Sequence, residues 1–86
     1  MTKSIFQQTY DDFRTALTEA RIKTGLSQRG LAARLEKPQS FVSKYERGER
    51  RLDVIEFFQI TDALRIDPFE FLRGVRGERN QGEKAP

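Results

Sequence analysis

The apolar residues of this chain recur at steps of three and four, no run alternates long enough to make a β-strand, and turn-forming residues cut each helical stripe short. Those three features restrict it to an all-α fold of short helices. Tyr10, Phe13, Leu17 and Ala20 form one stripe, which predicts helix 1 over Tyr10 to Lys23 with Gly25 suited to its C-terminal stop. Ser27 offers a hydroxyl cap to helix 2, about Gln28 to Leu35, which turns Leu31, Ala32 and Leu35 inward. Pro38 disfavours helix at the residue before it and suits a first helical position, so helix 3 is expected from Pro38 to Arg47, with Val42 and Tyr45 inward and Gly48 as its stop.

Gly48 to Arg51 reads as a basic loop, after which Asp53 can open helix 4, reaching about Arg65. Val54, Phe57, Thr61 and Leu64 make its stripe, while Ile55, Phe58 and Ile60 add apolar surface outside it. Helix 4 is therefore either the buried centre of the domain or partly an interface for another chain. Ile66, Asp67 and Pro68 turn the chain into a short helix 5 carrying Phe69, Phe71 and Leu72. The organisation expected is an N-terminal extension over residues 1–9, one domain over residues 10–73, and a disordered tail over residues 74–86, where glycines and charges surround a single aliphatic residue.

With 86 residues, 36% hydrophobic and 34% charged, the chain can bury one small core. It contains no cysteine and no histidine, so disulfides, thiolate nucleophiles, cysteine-type zinc sites and the commonest general base are all missing. No metal and no cofactor is implied, and a small enzyme is disfavoured. Asp11, Asp12 and Glu19 interrupt the first twenty residues and no stretch approaches the roughly 20 apolar residues of a membrane span, so a soluble cytoplasmic protein is the simplest expectation. The net charge of +3 is unevenly spread. Arg21 to Arg51 holds nine basic residues against Glu36, Glu46 and Glu49, a balance of +6, whereas Leu52 to Leu72 holds five acidic residues against Arg65, a balance of −4. A basic segment beside an acidic one suits a domain that turns one face to a polyanion, although a charged solvated surface gives the same count.

The sharper signal is the pair of helices 2 and 3. Leu31, Ala32, Leu35, Val42 and Tyr45 can lock the two against each other at an angle, with small Ala32 allowing close approach. Helix 3 is then free on one side, where Gln39, Ser40, Ser43 and Lys44 offer hydrogen-bonding groups suited to base edges and Arg47, Arg50 and Arg51 offer cations suited to phosphates.

The segments GLSQRGLAARL, PQSFVSKYERGERRLD and ALRIDPFEFL, in that order, resemble the phage repressor and Cro helix-turn-helix family, often called the XRE family, over roughly Phe13 to Leu72. The resemblance implies a five-helix, lambda-repressor-like domain that reads double-stranded DNA as a transcriptional regulator, most simply a repressor. Helix 3 would lie in the major groove and helix 2 across the backbone. Gln28 and Gln39 match two family glutamines, of which the first contacts phosphate and supports the second. Gln39, Ser40 and Lys44 match base-reading positions and Arg47 a backbone-contacting one, while Arg50 and Arg51 fall in a loop of variable length. Ser27 reads as a helix cap, at a position that family members also use near phosphate. The family pairs an arginine at the position of Arg21 with a glutamate at that of Glu46, so an internal ion pair is expected there. Phe41 projects between reading residues, either packing on its own domain or touching a thymine methyl. Glu36 departs from the family, whose turn often has glycine at this point. A homodimer on a two-fold operator is implied, with half-sites about 34 Å apart. The alternative is an antitoxin-like or other partner-binding module on the same fold, kept open by Ile55, Phe58 and Phe71.

Overall fold

Polar side chains start most of the helices, and left-handed residues stop several of them. In the computed structural model, which describes residues 4–79, the elements are α1 (Ile5–Lys23), α2 (Gln28–Leu35), α3 (Gln39–Glu46), α4 (Val54–Leu64) and α5 (Pro68–Arg79). No strand occurs among the described residues. Ser4 caps α1 by accepting from the Gln7 backbone N–H at 3.0 Å, and Ser27 caps α2 by accepting from Gly30 at 2.9 Å. Asp53 and Glu56 form a reciprocal capping box at the start of α4. Each such cap contributes about 1 kcal/mol by satisfying amides that the helix itself leaves unpaired.

Four element ends differ from the sequence expectation. Helix α1 starts at Ile5, not Tyr10, because Ser4 supplies a cap upstream of the apolar stripe. Helix α5 runs to Arg79 through Gly74 and Gly77, so residues 74–79, expected in a disordered tail, continue the helix, while residues 80–86 lie outside the described residues. Pro38 sits at the cap position with extended backbone (φ −66°, ψ 152°) rather than inside α3, and Arg47 is the C-cap.

The core consists of Leu17 from α1, Leu31 and Ala32 from α2, Val42 and Tyr45 from α3, and Phe57, Ile60 and Leu64 from α4. Helix α2 packs on α3 and α4, α1 on α3 and α5, and α4 on α5. Phe13, Phe57 and Phe71 form a triangle of rings with centroids 5.5, 5.8 and 6.0 Å apart, which joins α1, α4 and α5. Thr61 is fully buried in α4 and its hydroxyl donates to the Phe58 carbonyl at 3.0 Å, so it adds volume without an unpaired donor. Truncating a core leucine such as Leu31 to alanine would cost about 2–5 kcal/mol. Val54, placed on the buried stripe by its spacing, is 61% exposed: it is the first residue of α4, and burial begins one turn later at Phe57.

Candidate nucleic-acid interface

The turn between α2 and α3 depends on one strained residue. Glu36 adopts the left-handed conformation (φ 59°, ψ 43°), and its N–H donates to the Ala33 carbonyl at 3.1 Å while Lys37 donates to Ala32 at 3.0 Å. These bonds end α2 and redirect the chain into α3 within three residues, at roughly 1 kcal/mol of strain for a side chain in this region. Leu31, Ala32, Val42 and Tyr45 then hold the two helices together from the inside.

Gln39, Ser40 and Lys44 are exposed on the opposite side of α3. Ser43 is half-buried, and its hydroxyl donates to the Ser40 carbonyl at 3.3 Å, so it is partly turned back to its own helix. The Lys44 ammonium makes no hydrogen bond or ion pair among the described residues.

A chain of polar contacts runs from α1 to this surface. Arg21 donates to Glu46 through Nε at 2.7 Å and Nη2 at 3.0 Å, and its Nη1 donates to the Leu26 carbonyl at 2.8 Å. Only 11% of the Arg21 side chain and 5% of the Glu46 side chain is exposed. The hydrogen bond to Glu46 raises the Arg21 pKa above its ordinary value against the opposing effect of burial, so the guanidinium stays charged. Gln28 donates to the same carboxylate at 2.9 Å, and its own carbonyl oxygen accepts from Gln39 Nε2 at 3.4 Å. The amide at the head of α3 is thus oriented by a buried charge pair two side chains away.

Sequence spacing gave no sign of three further contacts. Arg14 of α1 donates through Nη1 to the Glu46 carbonyl at 2.6 Å, where a cation suits the C-terminal end of α3. Gly48 leaves room for it: a Cβ there would stand 3.1 Å from Arg14 Nε, at a backbone φ of 82° that already favours glycine. Arg34 of α2 donates to the Ala63 carbonyl at 2.8 Å, fixing α2 to the last turn of α4. The Tyr10 hydroxyl accepts from the Leu52 N–H at 3.3 Å, so α1 also holds the loop after α3. The Arg14 to Asp11 bond at 3.2 Å is a local i, i+3 pair that spacing can suggest, but the others join residues 29 or more positions apart.

The basic residues after α3 are each engaged differently. Arg47 is exposed and pairs with Glu49 at 3.0 and 3.1 Å, and that hydrogen bonding lowers the Glu49 pKa. Arg50 pairs with Glu56 at 3.0 and 2.8 Å, and Arg51 stands over the Tyr10 ring at 4.1 Å. Phe41 is half-buried with its ring edge-on to Tyr45 at 5.6 Å and with Lys37 and Arg50 over its face at 5.0 and 4.8 Å, so it packs within its own domain.

Two short helices meeting across a tight turn, the second carrying an exposed polar face, make this a helix-turn-helix domain. Residues 17–71 match the sequence profile of a family described as helix-turn-helix. An XRE-family-like protein from Pseudomonas syringae pv. tomato str. DC3000 shares 44% identity and a TM-score of 0.83, over 86% of this chain and 90% of its own. No curated protein matches the chain. The chain belongs to the XRE family of helix-turn-helix proteins, the phage repressor and Cro type, and is a DNA-binding helix-turn-helix regulator. No helix among the described residues is long and apolar enough to cross a membrane.

Proposed function

We propose that the protein is a repressor that inserts α3 into the major groove of duplex DNA, with Gln39, Ser40, Ser43 and Lys44 facing base edges. The observation that carries this is the exposed Gln39, Ser40 and Lys44 surface, on which Gln39 is oriented from behind by Gln28 and, through it, by the buried Arg21 and Glu46 pair. Orienting a reading side chain in advance favours binding, because every side chain immobilised on binding subtracts from affinity. An amide suits adenine and an ammonium suits guanine in the major groove. Ser27 and Gln28 at the start of α2, Arg47 at the end of α3 and the loop that carries Arg50 and Arg51 flank this surface; Ser27, Gln28, Arg47 and at least one of the two loop arginines would contact phosphates, fixing register without reading sequence. The protein would act in the cytoplasm as a homodimer on a two-fold operator, with half-sites about 34 Å apart.

Selection of bound sequences from a random duplex library tests this. Recovery of a palindromic site with half-sites one helical turn apart supports it, and recovery of duplexes with no common sequence counts against it. A second reading, an antitoxin-like or other protein-binding module, is favoured by one observation: Ile55, Phe69 and Leu72 are 59%, 63% and 38% exposed on α4 and α5. The half-buried Phe58 ring packs 6.2 Å from that of Phe69, and Phe71 packs against the core, so the exposed strip is narrower than the sequence alone suggests.

A further inference from the structure

The Arg50 and Arg51 side chains leave the same loop, yet their donors are disposed in opposite ways. Arg50 directs three of its five N–H donors inside the chain. Its Nη1 and Nη2 donate to the two Glu56 oxygens at 3.0 and 2.8 Å, and Nη1 also donates to the Arg51 carbonyl at 3.0 Å. Glu56 belongs to the capping box of α4, so Arg50 ties the loop to that helix while its face lies against Phe41. Arg51 is exposed, and its guanidinium makes no hydrogen bond or ion pair among the described residues. It stands instead at stacking distance, 4.1 Å, over the Tyr10 ring.

Tyr10 is itself fixed at two points. Its hydroxyl accepts from the Leu52 N–H at 3.3 Å, and its ring lies 5.6 Å from Phe13, which packs on Phe57 in the core at 5.5 Å. A guanidinium held by its face keeps its in-plane donors free, and those donors match the oxygens of a phosphate. Holding it in advance also reduces the freedom lost when it binds.

We propose that Tyr10 is the positioning residue for Arg51, that Arg51 is the phosphate-binding arginine of this loop, and that Arg50 is an internal strut that contacts no phosphate. This rests on the reading that α3 and the loop after it face the duplex, and the test separates the two.

Binding of the full chain to one mixed-sequence duplex is titrated at several salt concentrations. Arg51→Ala is expected to lower the slope of log affinity against log salt by about one unit, and Arg50→Ala to leave it unchanged. Tyr10→Phe, which keeps the ring, is expected to bind as wild type. Tyr10→Leu is expected to keep the slope and weaken binding about threefold to tenfold, the range set by immobilising one long side chain. In an Arg51→Ala background Tyr10→Leu should add nothing, a non-additivity that a merely structural tyrosine does not produce. Equal weakening in both backgrounds, or a slope indifferent to Arg51→Ala, overturns the inference. If Tyr10→Leu is unfolded, Arg51→Lys reads the same contact, because it keeps the charge and loses the planar stack. Unchanged slope with about threefold to tenfold weaker binding supports the inference, and wild-type affinity overturns it. A wild-type chain that binds no duplex overturns the docking of α3 and the inference together, whereas a slope indifferent to Arg51→Ala in a chain that does bind overturns the inference alone.

Discussion

Replacing Arg21 with methionine keeps most of the side-chain stem and removes the cation that faces Glu46. Glu46 is 8% exposed and accepts two of its three side-chain hydrogen bonds from Arg21, at 2.7 and 3.0 Å, leaving only Gln28 at 2.9 Å. Removing one partner of a buried pair costs about 3–5 kcal/mol, because the remaining charge is left without compensation. The surviving Gln28 bond places Arg21→Met at the lower end, about 3 kcal/mol. A domain of this length has roughly 4–13 kcal/mol in total, and each kcal/mol moves the melting temperature by about 4–8 °C. Glu46→Gln removes the negative charge instead, and the double variant Arg21→Met/Glu46→Gln restores neutrality. Urea denaturation of the four proteins, followed by helical circular dichroism, gives the coupling energy, expected near 2 kcal/mol. A coupling below about 0.5 kcal/mol would refute the argument, since that is the range of a solvent-exposed pair.

Glu36→Gly should stabilise the domain by roughly 0.5–1 kcal/mol in the same denaturation assay, without changing DNA sequence preference, because glycine relieves the left-handed strain at φ 59°. A clear loss of stability would show that the Glu36 side chain contributes more than the strain costs. Tyr45 is 1% exposed and its hydroxyl has no hydrogen-bond partner among the described residues. Tyr45→Phe is therefore expected to leave stability unchanged or raise it by up to about 1 kcal/mol, and a loss greater than about 1 kcal/mol would contradict this. Hydrogen bonds from Arg50 and then from the Asp53 backbone hold the Glu56 carboxyl at about 2, against an ordinary 4.5. Since the folded value lies below the unfolded one, this stabilisation is complete above the unfolded value of 4.5 and is lost as pH falls from there toward 2. Thermal melts should show Glu56→Gln flattening the acid side of the profile in that window, and an unchanged acid limb would contradict the assignment.

The repeating steps of three and four, as in Phe13, Leu17 and Ala20 or in Phe57, Thr61 and Leu64, made the helices and most of the core legible, because burial and periodicity are the same fact for a residue in mid-helix. Val54 misled for the complementary reason: its spacing is right, but it lies at a helix start, past the packed surface. The exposed polar face of α3 followed from the inward positions of Val42 and Tyr45 alone. Which donors on that side remain free did not, because it depends on partners distant in sequence or on turn geometry. Arg51 meets Tyr10 across 41 positions, Arg14 reaches the Glu46 carbonyl across 32, and Arg47 folds onto Glu49 through the trajectory of a loop. The strain at Glu36 was readable only through the family resemblance, and the equally left-handed Arg65 (φ 61°) at the end of α4 carries no comparable sequence sign.

The most direct test of α3 as the reading element compares specific and scrambled duplexes for wild type, Gln39→Ala and Lys44→Ala. Both side chains are exposed, so their loss should leave the fold intact. Each substitution is expected to weaken the preferred site by about 1–3 kcal/mol while leaving scrambled duplexes much less affected. Arg47→Ala, by contrast, should weaken both alike and lower the salt slope by about one unit. If Gln39→Ala and Lys44→Ala both bind every duplex as wild type does, α3 is not the reading element and the partner-binding account becomes the better one.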